Sequence, residues 1–538
     1  MKLAELIITE ARERGLRHFF GLPGGGSPLD MMEAGRELDV SFVSVAHESS
    51  AAIMAAYYGL MKDTAGLALS VKGIGAGNLA GGAANAYFER MPVVCLCESS
   101  PMPVTQKEMV QHCDQAQLFG ATVKYQDTLT ASEAAVSVQE AVFQATDGRP
   151  GPVLLNLPSD MGLSECGDPL TLKTSPAAST PDNAQLAAAH EFIQAASRPV
   201  IIAGTDVVRA GAAKELQTLV ENIGAGVLVN MDARGVLPES HPRWAGVLTG
   251  NYSPNIIETE IMSQADAVLL IGADSMMTHV PWDVDLPTCE LSLRPEYETL
   301  SPDPKVRVNG DLKETLKSLS AHNQPGFSDD QIQGIRRKIL QNFKRPDDAQ
   351  FAAQDVIEIT RAVLPAEGVL FSETGAYIAM LEHLWGVEDP NTYWGTTGGR
   401  TMGLTLPAVF GAKLAKPDML AVGIGGDGSL LMRLGELETF ARTGVVVPLV
   451  IINDQALGTM KSRQKSRGMP EYALDFHPVD FAGIATACGL RGVTVSTPEQ
   501  FEDELKLAMD ADRTTLIDAR VDAQAYQDSF GPTIGVLA

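Results

Sequence analysis

The sequence predicts an α/β protein of three consecutive parallel-sheet units, and three observations carry that expectation. Short apolar segments alternate with amphipathic helical segments, the rhythm of strand–helix–strand crossovers. Polar stretches rich in serine, proline and threonine interrupt the rhythm twice. The chain also has 538 residues, too many for one hydrophobic core at roughly 100–200 residues per domain.

The first unit, residues 1–172, has apolar strand candidates at 41–46, 66–71, 92–96 and 152–157. A linker at 173–181 follows. The second unit, 182–325, has strand candidates at 199–203, 226–230 and 267–271 and ends in the polar stretch 320–330. The third, 350–538, has them at 368–372, 419–423, 446–453 and 515–519.

Composition narrows the function. Hydrophobic residues make up 45% and charged residues 20%, a globular balance. The net charge of −26 argues against nucleic acid and anionic membrane as partners, since phosphate binding needs basic surface. Six cysteines without CxxC spacing read as free thiols in a reducing compartment. The N-terminus has no apolar signal core, and no apolar run of ~20 residues follows. A soluble, cytoplasmic protein is expected.

The strongest chemical signal lies in the third unit. An apolar strand runs into Gly426-Asp427-Gly428-Ser429, a helix-like segment over 430–442 follows, and a second apolar strand ends in Asn453-Asp454. Glycines let backbone approach a phosphate closely, and a helix N-terminus presents unpaired N–H groups. Asp427 and Asn453 offer oxygen ligands suited to Mg²⁺ at the carboxyl ends of adjacent strands. Gly-Asp-Gly alone makes an ordinary turn; an asparagine 26 positions after Asp427 makes the pattern specific.

This pattern resembles the cofactor-binding motif of thiamine-diphosphate (ThDP) enzymes, and the resemblance extends over the whole chain as pyrimidine-binding, middle and diphosphate-binding domains. It is nearest to the acetolactate synthase and benzoylformate decarboxylase branch. It implies Asp427, Asn453 and the backbone carbonyl of Gln455 as Mg²⁺ ligands, with Gly426, Gly428, Ser429 and Thr374 around the diphosphate. The segment Gly398–Ala408 is similar to the one that bends the cofactor: Met402 would wedge between its rings, and a carbonyl near Arg400 would accept from its amino group. Met402 as plain core filler is the alternative. Glu48, in Ala46-His47-Glu48-Ser49, stands where the family has the glutamate that activates the aminopyrimidine ring. Gly24, in Phe20–Gly25, and Asn78, in Gly73–Asn78, belong to its supporting segments.

Residues that set the reaction's outcome are less marked. Ile271–His279 resembles a loop that carries an active-site histidine, His279. Gln111-His112-Cys113-Asp114 is similar to a stretch whose glutamine faces the reacting carbon, so Gln111 and His112 are candidates, histidine being the natural proton carrier near neutral pH. Lys461, Arg463, Lys465 and Arg467 form a basic cluster, either a solvated helix face or a holder for a carboxylate, sulfonate or phosphonate. The resemblance implies decarboxylation of a small 2-oxo acid, with possible carboligation of the product. The alternatives are an acetolactate-synthase-like carboligase and a non-catalytic paralogue or partner subunit. FAD is not expected. A homodimer or homotetramer is implied, with active sites shared between chains.

Overall fold

The computed structural model describes residues 1–101, 110–171, 173–249, 256–277, 284–298, 300–523 and 525. Three six-stranded, all-parallel sheets follow one another along the chain, each flanked by helices. The first contains β1 (His18–Gly21), β2 (Ser41–Ser44), β3 (Gly66–Ser70), β4 (Val93–Ser99), β5 (Tyr125–Thr128) and β6 (Pro152–Pro158). Their order is β2-β1-β3-β4-β6-β5.

The second sheet has β7 (Pro199–Ala203), β8 (Gly226–Val229), β9 (Trp244–Val247), β10 (Ala267–Ile271), β11 (Thr288–Ser292) and β12 (Val306–Asn309), in the order β12-β11-β10-β7-β8-β9. The third has β13 (Val369–Ser372), β14 (Tyr393–Trp394), β15 (Ala421–Gly426), β16 (Pro448–Asn453), β17 (Arg491–Val495) and β18 (Thr515–Arg520), in the order β14-β13-β15-β16-β18-β17.

The α/β expectation therefore holds, and the central strands are the buried apolar runs that the sequence marks. Residues 173–180 are exposed and irregular. The second break is displaced. Helix Asp329–Leu340 lies beyond residue 325, yet Arg336 stacks over Trp244 at 4.6 Å and Lys338 reaches Glu260, so it covers the second sheet. The helix-like segment expected over 430–442 is two helices, Asp427–Leu431 and Glu436–Thr443.

The sheets are tied together by polar joints as well as apolar packing. Arg149, from the first unit, donates to Asp206 and to the Ala273 carbonyl, while Arg90 forks onto Asp274. Between the first and third units, helix Glu48–Met61 packs on helix Thr405–Ala415. Gly411 permits the close approach: a Cβ there would stand 2.2 Å from the Met54 carbonyl oxygen. Both helices begin beside residues that the sequence singles out. Among the described residues no helix is long and apolar enough to cross a membrane.

Candidate active site

At the carboxyl end of β15 the chain turns into helix Asp427–Leu431. Asp427 is buried; its Oδ1 accepts the Gly428 N–H at 2.7 Å, and its Oδ2 is buried with no partner. Beside it the last residue of β16, Asn453, is also buried. The Asn453 amide donates to Asp518 Oδ1 at 2.7 Å, and its Oδ1 accepts the Gln455 N–H at 3.1 Å.

Successive side chains at a strand end point to opposite sides. With Asn453 turned inward to Asp518, Asp454 turns to the other side and joins the wall of a cavity of about 320 Å³. The same wall includes Gly426, Asp427, Gly428, Ser429, Ala456, Thr374, Met402 and Arg400. Asn453 and Gln455 are not part of it. Gln455 sits in the left-handed region (φ 58°), and its carbonyl accepts the Phe476 N–H at 2.7 Å. Asp454 and Ala456 thus share the cavity wall with Asp427, whereas Asn453 and Gln455 stand behind it.

Asp427 responds to this arrangement. Its pKa is pushed up to about 7, first by burial and then by the negative charge of Asp454. Two carboxylates forced together, one with an orphaned oxygen, form an oxygen-donor set for a hard divalent cation. The chemistry of the wall therefore fits Mg²⁺.

A strut supports the cavity from behind. Glu373 is buried where β13 ends; its Oε2 accepts from the Leu404 and Thr405 N–H groups, and its Oε1 from the Gly426 N–H at 3.2 Å. One carboxylate thus links the start of helix Thr405–Ala415, just after Met402, to the Gly426–Ser429 turn. Burial pushes its pKa up to about 7 despite those donors.

The loop that carries Arg400 and Met402 is also held from outside its own sheet. Glu89, at the end of helix Ile74–Phe88, accepts the Thr397 N–H and the Gly399 N–H, each at 2.9 Å, and the Thr396 hydroxyl at 2.5 Å. Asn85 donates to the Thr401 hydroxyl, and the Thr397 hydroxyl donates to Asp232 of the second unit. Nothing in the sequence flagged Glu89 or Asp232.

Glu48 occupies separate ground. It is buried in the first turn of its helix, which His47 caps. Asn78 donates to Glu48 Oε2 at 3.0 Å, and a Cβ on Gly75 would stand 3.2 Å from Oε1. Gly24 lies against Glu98 and Val71. Among the described residues, no side chain of the first unit lines the 320 Å³ cavity. Close by Glu48, Ile74 is 73% exposed.

The remaining candidates divide. His112 is exposed and lines a second cavity, of about 370 Å³, where its Nδ1 lies 3.2 Å from the Ser100 hydroxyl. Gln111 is exposed in the left-handed region, with its backbone against Gly73. His279 falls outside the described residues. In the basic cluster, Lys461 is paired with Asp475 and Glu471, whereas Arg463 lines the main cavity.

Comparison with known proteins agrees with this architecture. Residues 1–118 match the family described as the thiamine pyrophosphate enzyme N-terminal TPP binding domain, 186–319 its central domain and 373–519 its C-terminal TPP binding domain. The chain belongs to the thiamine-diphosphate-dependent enzyme family. Within it, the chain falls in the acetolactate-synthase-like branch. It is 25% identical to the acetolactate synthase isozyme 3 large subunit of Escherichia coli, covering 97% of this chain and 95% of that one. It is 27% identical to the catabolic acetolactate synthase of Raoultella terrigena, covering 98% and 95%. A Mycobacterium smegmatis structure described as thiamin diphosphate-dependent superposes with TM-score 0.80 at 22% identity, over 97% of this chain and 99% of that one; this likeness is one of fold.

Proposed function

We propose that the protein is a ThDP- and Mg²⁺-dependent carboligase, which decarboxylates a 2-oxo acid and joins the remaining acyl unit to a second carbonyl compound. The observation that carries the reading is the cavity wall itself, where Met402, the Gly426–Ser429 turn and the Asp427–Asp454 pair meet. The named relatives are acetolactate synthases, which favours the carboligase alternative over decarboxylation with carboligation only as a possible further step.

When bound, ThDP supplies the nucleophilic carbon and the electron sink. The chain's own residues do the rest. Asp427 and Asp454, which share the cavity wall, would hold Mg²⁺, with Asn453 and the carbonyl of Gln455 as the other candidates. Ser429 and the Gly428 turn face the diphosphate. Met402 would pack against the cofactor's rings, and Glu373 ties the segment after Met402 to the Gly426 turn. Glu48 holds or releases a proton at the aminopyrimidine nitrogen. Gln111, His112 and His279 are retained as candidates for contact with the reacting groups. The reaction is redox-neutral, so no step draws electrons from a flavin.

Since among the described residues the cavity walls come from the third unit and Glu48 stands apart from them beside exposed Ile74, we assign the complete site to two chains, with Glu48 supplied by a second copy. Two measurements test the reading. Product analysis by NMR, with ThDP and Mg²⁺ and a range of 2-oxo acids, should find acyloin or acetohydroxy acid; aldehyde alone would return the protein to the decarboxylases. Glu48→Gln and Asp427→Ala chains should each be nearly inactive, by ~10²–10⁴-fold for Glu48→Gln. Mixed together they should regain part of the activity through hybrid sites, and no recovery would confine the site to one chain.

A further inference from the structure

The first and third sheets have the same strand order, with β1–β6 of one standing for β13–β18 of the other. The last paired residues of β3 and β4 are Ser70 and Cys97, and those of β15 and β16 are Gly426 and Ile452. Counted from these pairs, Val71 and Lys72 take the places of Asp427 and Gly428, and Ser99 takes that of Asp454. The second cavity, of about 370 Å³, lies at this point, with Lys72 and Ser99 in its wall. The first unit thus repeats the ligand crevice of the third at the carboxyl ends of its strands. It does so without the carboxylate pair that suits a divalent cation.

Hydrogen bonds within the wall determine which groups are left for a ligand. The Gly73 N–H can only donate, and it reaches Gln115 Oε1 at 3.4 Å. That orients the Gln115 amide, whose Nε2 donates to Asn156 Oδ1 at 2.8 Å. The Asn156 amide in turn donates to the Thr128 hydroxyl at 3.4 Å, so the relay ends with the Thr128 proton still to give. Ser100 and His112 share one bond, Oγ to Nδ1 at 3.2 Å, and in either tautomer the pair keeps one O–H or N–H donor. The Lys72 ammonium is donor-only, and among the described residues no carboxylate lies within ion-pair distance of it.

Two carboxylates stand nearby. Asp114 lines the cavity but caps helix Gln115–Phe119, its Oδ1 accepting the Gln117 N–H at 3.0 Å. Glu98, in the place of Asn453, is buried with its oxygens against Gly24 and Gly26; burial raises its pKa, and Lys72 opposes the rise. With both amide oxygens of the wall taken, donors are what remain. Such a wall matches a ligand that only accepts, as a carboxylate does.

We propose that this cavity binds a small carboxylate, held by Lys72, Thr128 and the Ser100–His112 pair without a metal ion. The site adjoins Glu48: two residues beyond Gly73, where the relay starts, a Cβ on Gly75 would stand 3.2 Å from Glu48 Oε1. Two sources share the chemistry, a second 2-oxo acid awaiting carboligation and an unreactive carboxylate that regulates. The site stands independently of the reaction assigned above.

The test uses the full-length protein, with and without ThDP and Mg²⁺, and lactate as a probe that cannot be decarboxylated in this way. Calorimetry should find lactate bound at least ~10-fold more tightly than its neutral counterpart lactamide, in both forms. Lys72→Met should weaken lactate by ~10–100-fold, and Thr128→Val, which keeps the shape, by about 10-fold. Equal affinity for lactate and lactamide overturns the proposal, and so does an affinity unchanged in both variants. Loss of lactate on loading ThDP and Mg²⁺ also overturns it, because the probe then sat in the main cavity. Initial rates with two different 2-oxo acids identify the source. A KM raised by Lys72→Met for the acceptor alone assigns the site to the second substrate. An unchanged KM, with lactate altering the rate of the wild type but not of Lys72→Met, assigns it to an effector. A protein that turns over no 2-oxo acid, yet binds lactate through Lys72, keeps the site and sinks only the reaction assigned above.

Discussion

Glu373 accepts the backbone N–H of Leu404 at 2.6 Å while its other carboxylate oxygen takes the N–H of Gly426 at 3.2 Å. The segment just after Met402 and the turn that opens Asp427 are therefore set at one fixed separation by a single buried side chain. Glu373→Gln keeps one acceptor oxygen and opposes the other N–H contacts with an amide donor. An unsatisfied buried donor costs ~1–3 kcal/mol. We expect the variant to fold with a lower melting temperature and to bind ThDP at least ~10-fold more weakly, measured by calorimetry at saturating Mg²⁺. Unchanged affinity would make Glu373 a support for folding alone.

The position of Glu373 shows which parts of the site were legible in the sequence. Strands such as β7 and β10 are continuous apolar runs because they are buried on both faces, and they stand out. Two edge strands are not marked this way: β5 alternates half-buried and exposed residues, and β17 is mostly half-exposed, so neither makes an apolar run. In the site, the Gly426–Ser429 turn was legible because local backbone chemistry dictates it. Which of Asn453 and Asp454 faces the cavity was not, since it depends on which face of β16 meets Asp518. Glu89 could not be seen at all, because its partners lie 307–310 residues away.

The Asp427–Asp454 assignment predicts a clear separation of variants. Asp454→Ala should abolish Mn²⁺ binding, read by electron paramagnetic resonance, and with it the Mg²⁺-dependent thermal stabilisation by ThDP. Asn453→Ala should instead lower the melting temperature, because Oδ1 of buried Asp518 loses its donor, at a cost of ~1–3 kcal/mol. Its Mn²⁺ site should survive. Chelation by EDTA should reduce the wild type to the behaviour of Asp454→Ala. Loss of Mn²⁺ in Asn453→Ala with retention in Asp454→Ala would restore asparagine as the ligand.

Several buried carboxylates predict a pH dependence of stability. Burial is the first cause that raises Asp232, Glu258 and Glu382 to about 7. Their unfolded values lie near 4, so between about pH 4 and 7 the folded chain holds more protons than the unfolded chain. Their contribution to stability is then fully present at the acidic end and falls as pH rises through the folded values. Without cofactor or metal, denaturant midpoints should fall from pH 6 to pH 8. Asp232→Asn should flatten that slope by up to one proton's share, about 1.4 kcal/mol per pH unit. A slope unaltered by Asp232→Asn would mean that Asp232 is ionised in the fold throughout.

Glu89 acts on the reaction only through the loop it holds. Its carboxylate receives two backbone N–H groups and one hydroxyl from residues 396–399, and the loop then delivers Arg400 and Met402 to the cavity. Arg400 is itself held at φ 46°, a left-handed backbone that a non-glycine residue keeps only when its surroundings enforce it. Loss of the Glu89 contacts should relax the loop and misplace Met402 without touching the Asp427–Asp454 wall. Glu89→Gln should therefore lower kcat by ~10–100-fold, the scale of a misplacement of about 1 Å. Mn²⁺ affinity should stay within ~3-fold of the wild type, since a threefold change is under ~0.7 kcal/mol. Stopped-flow turnover and metal titration on one preparation make the comparison. A fall in metal affinity parallel to kcat would show instead that the variant loosens the whole third unit.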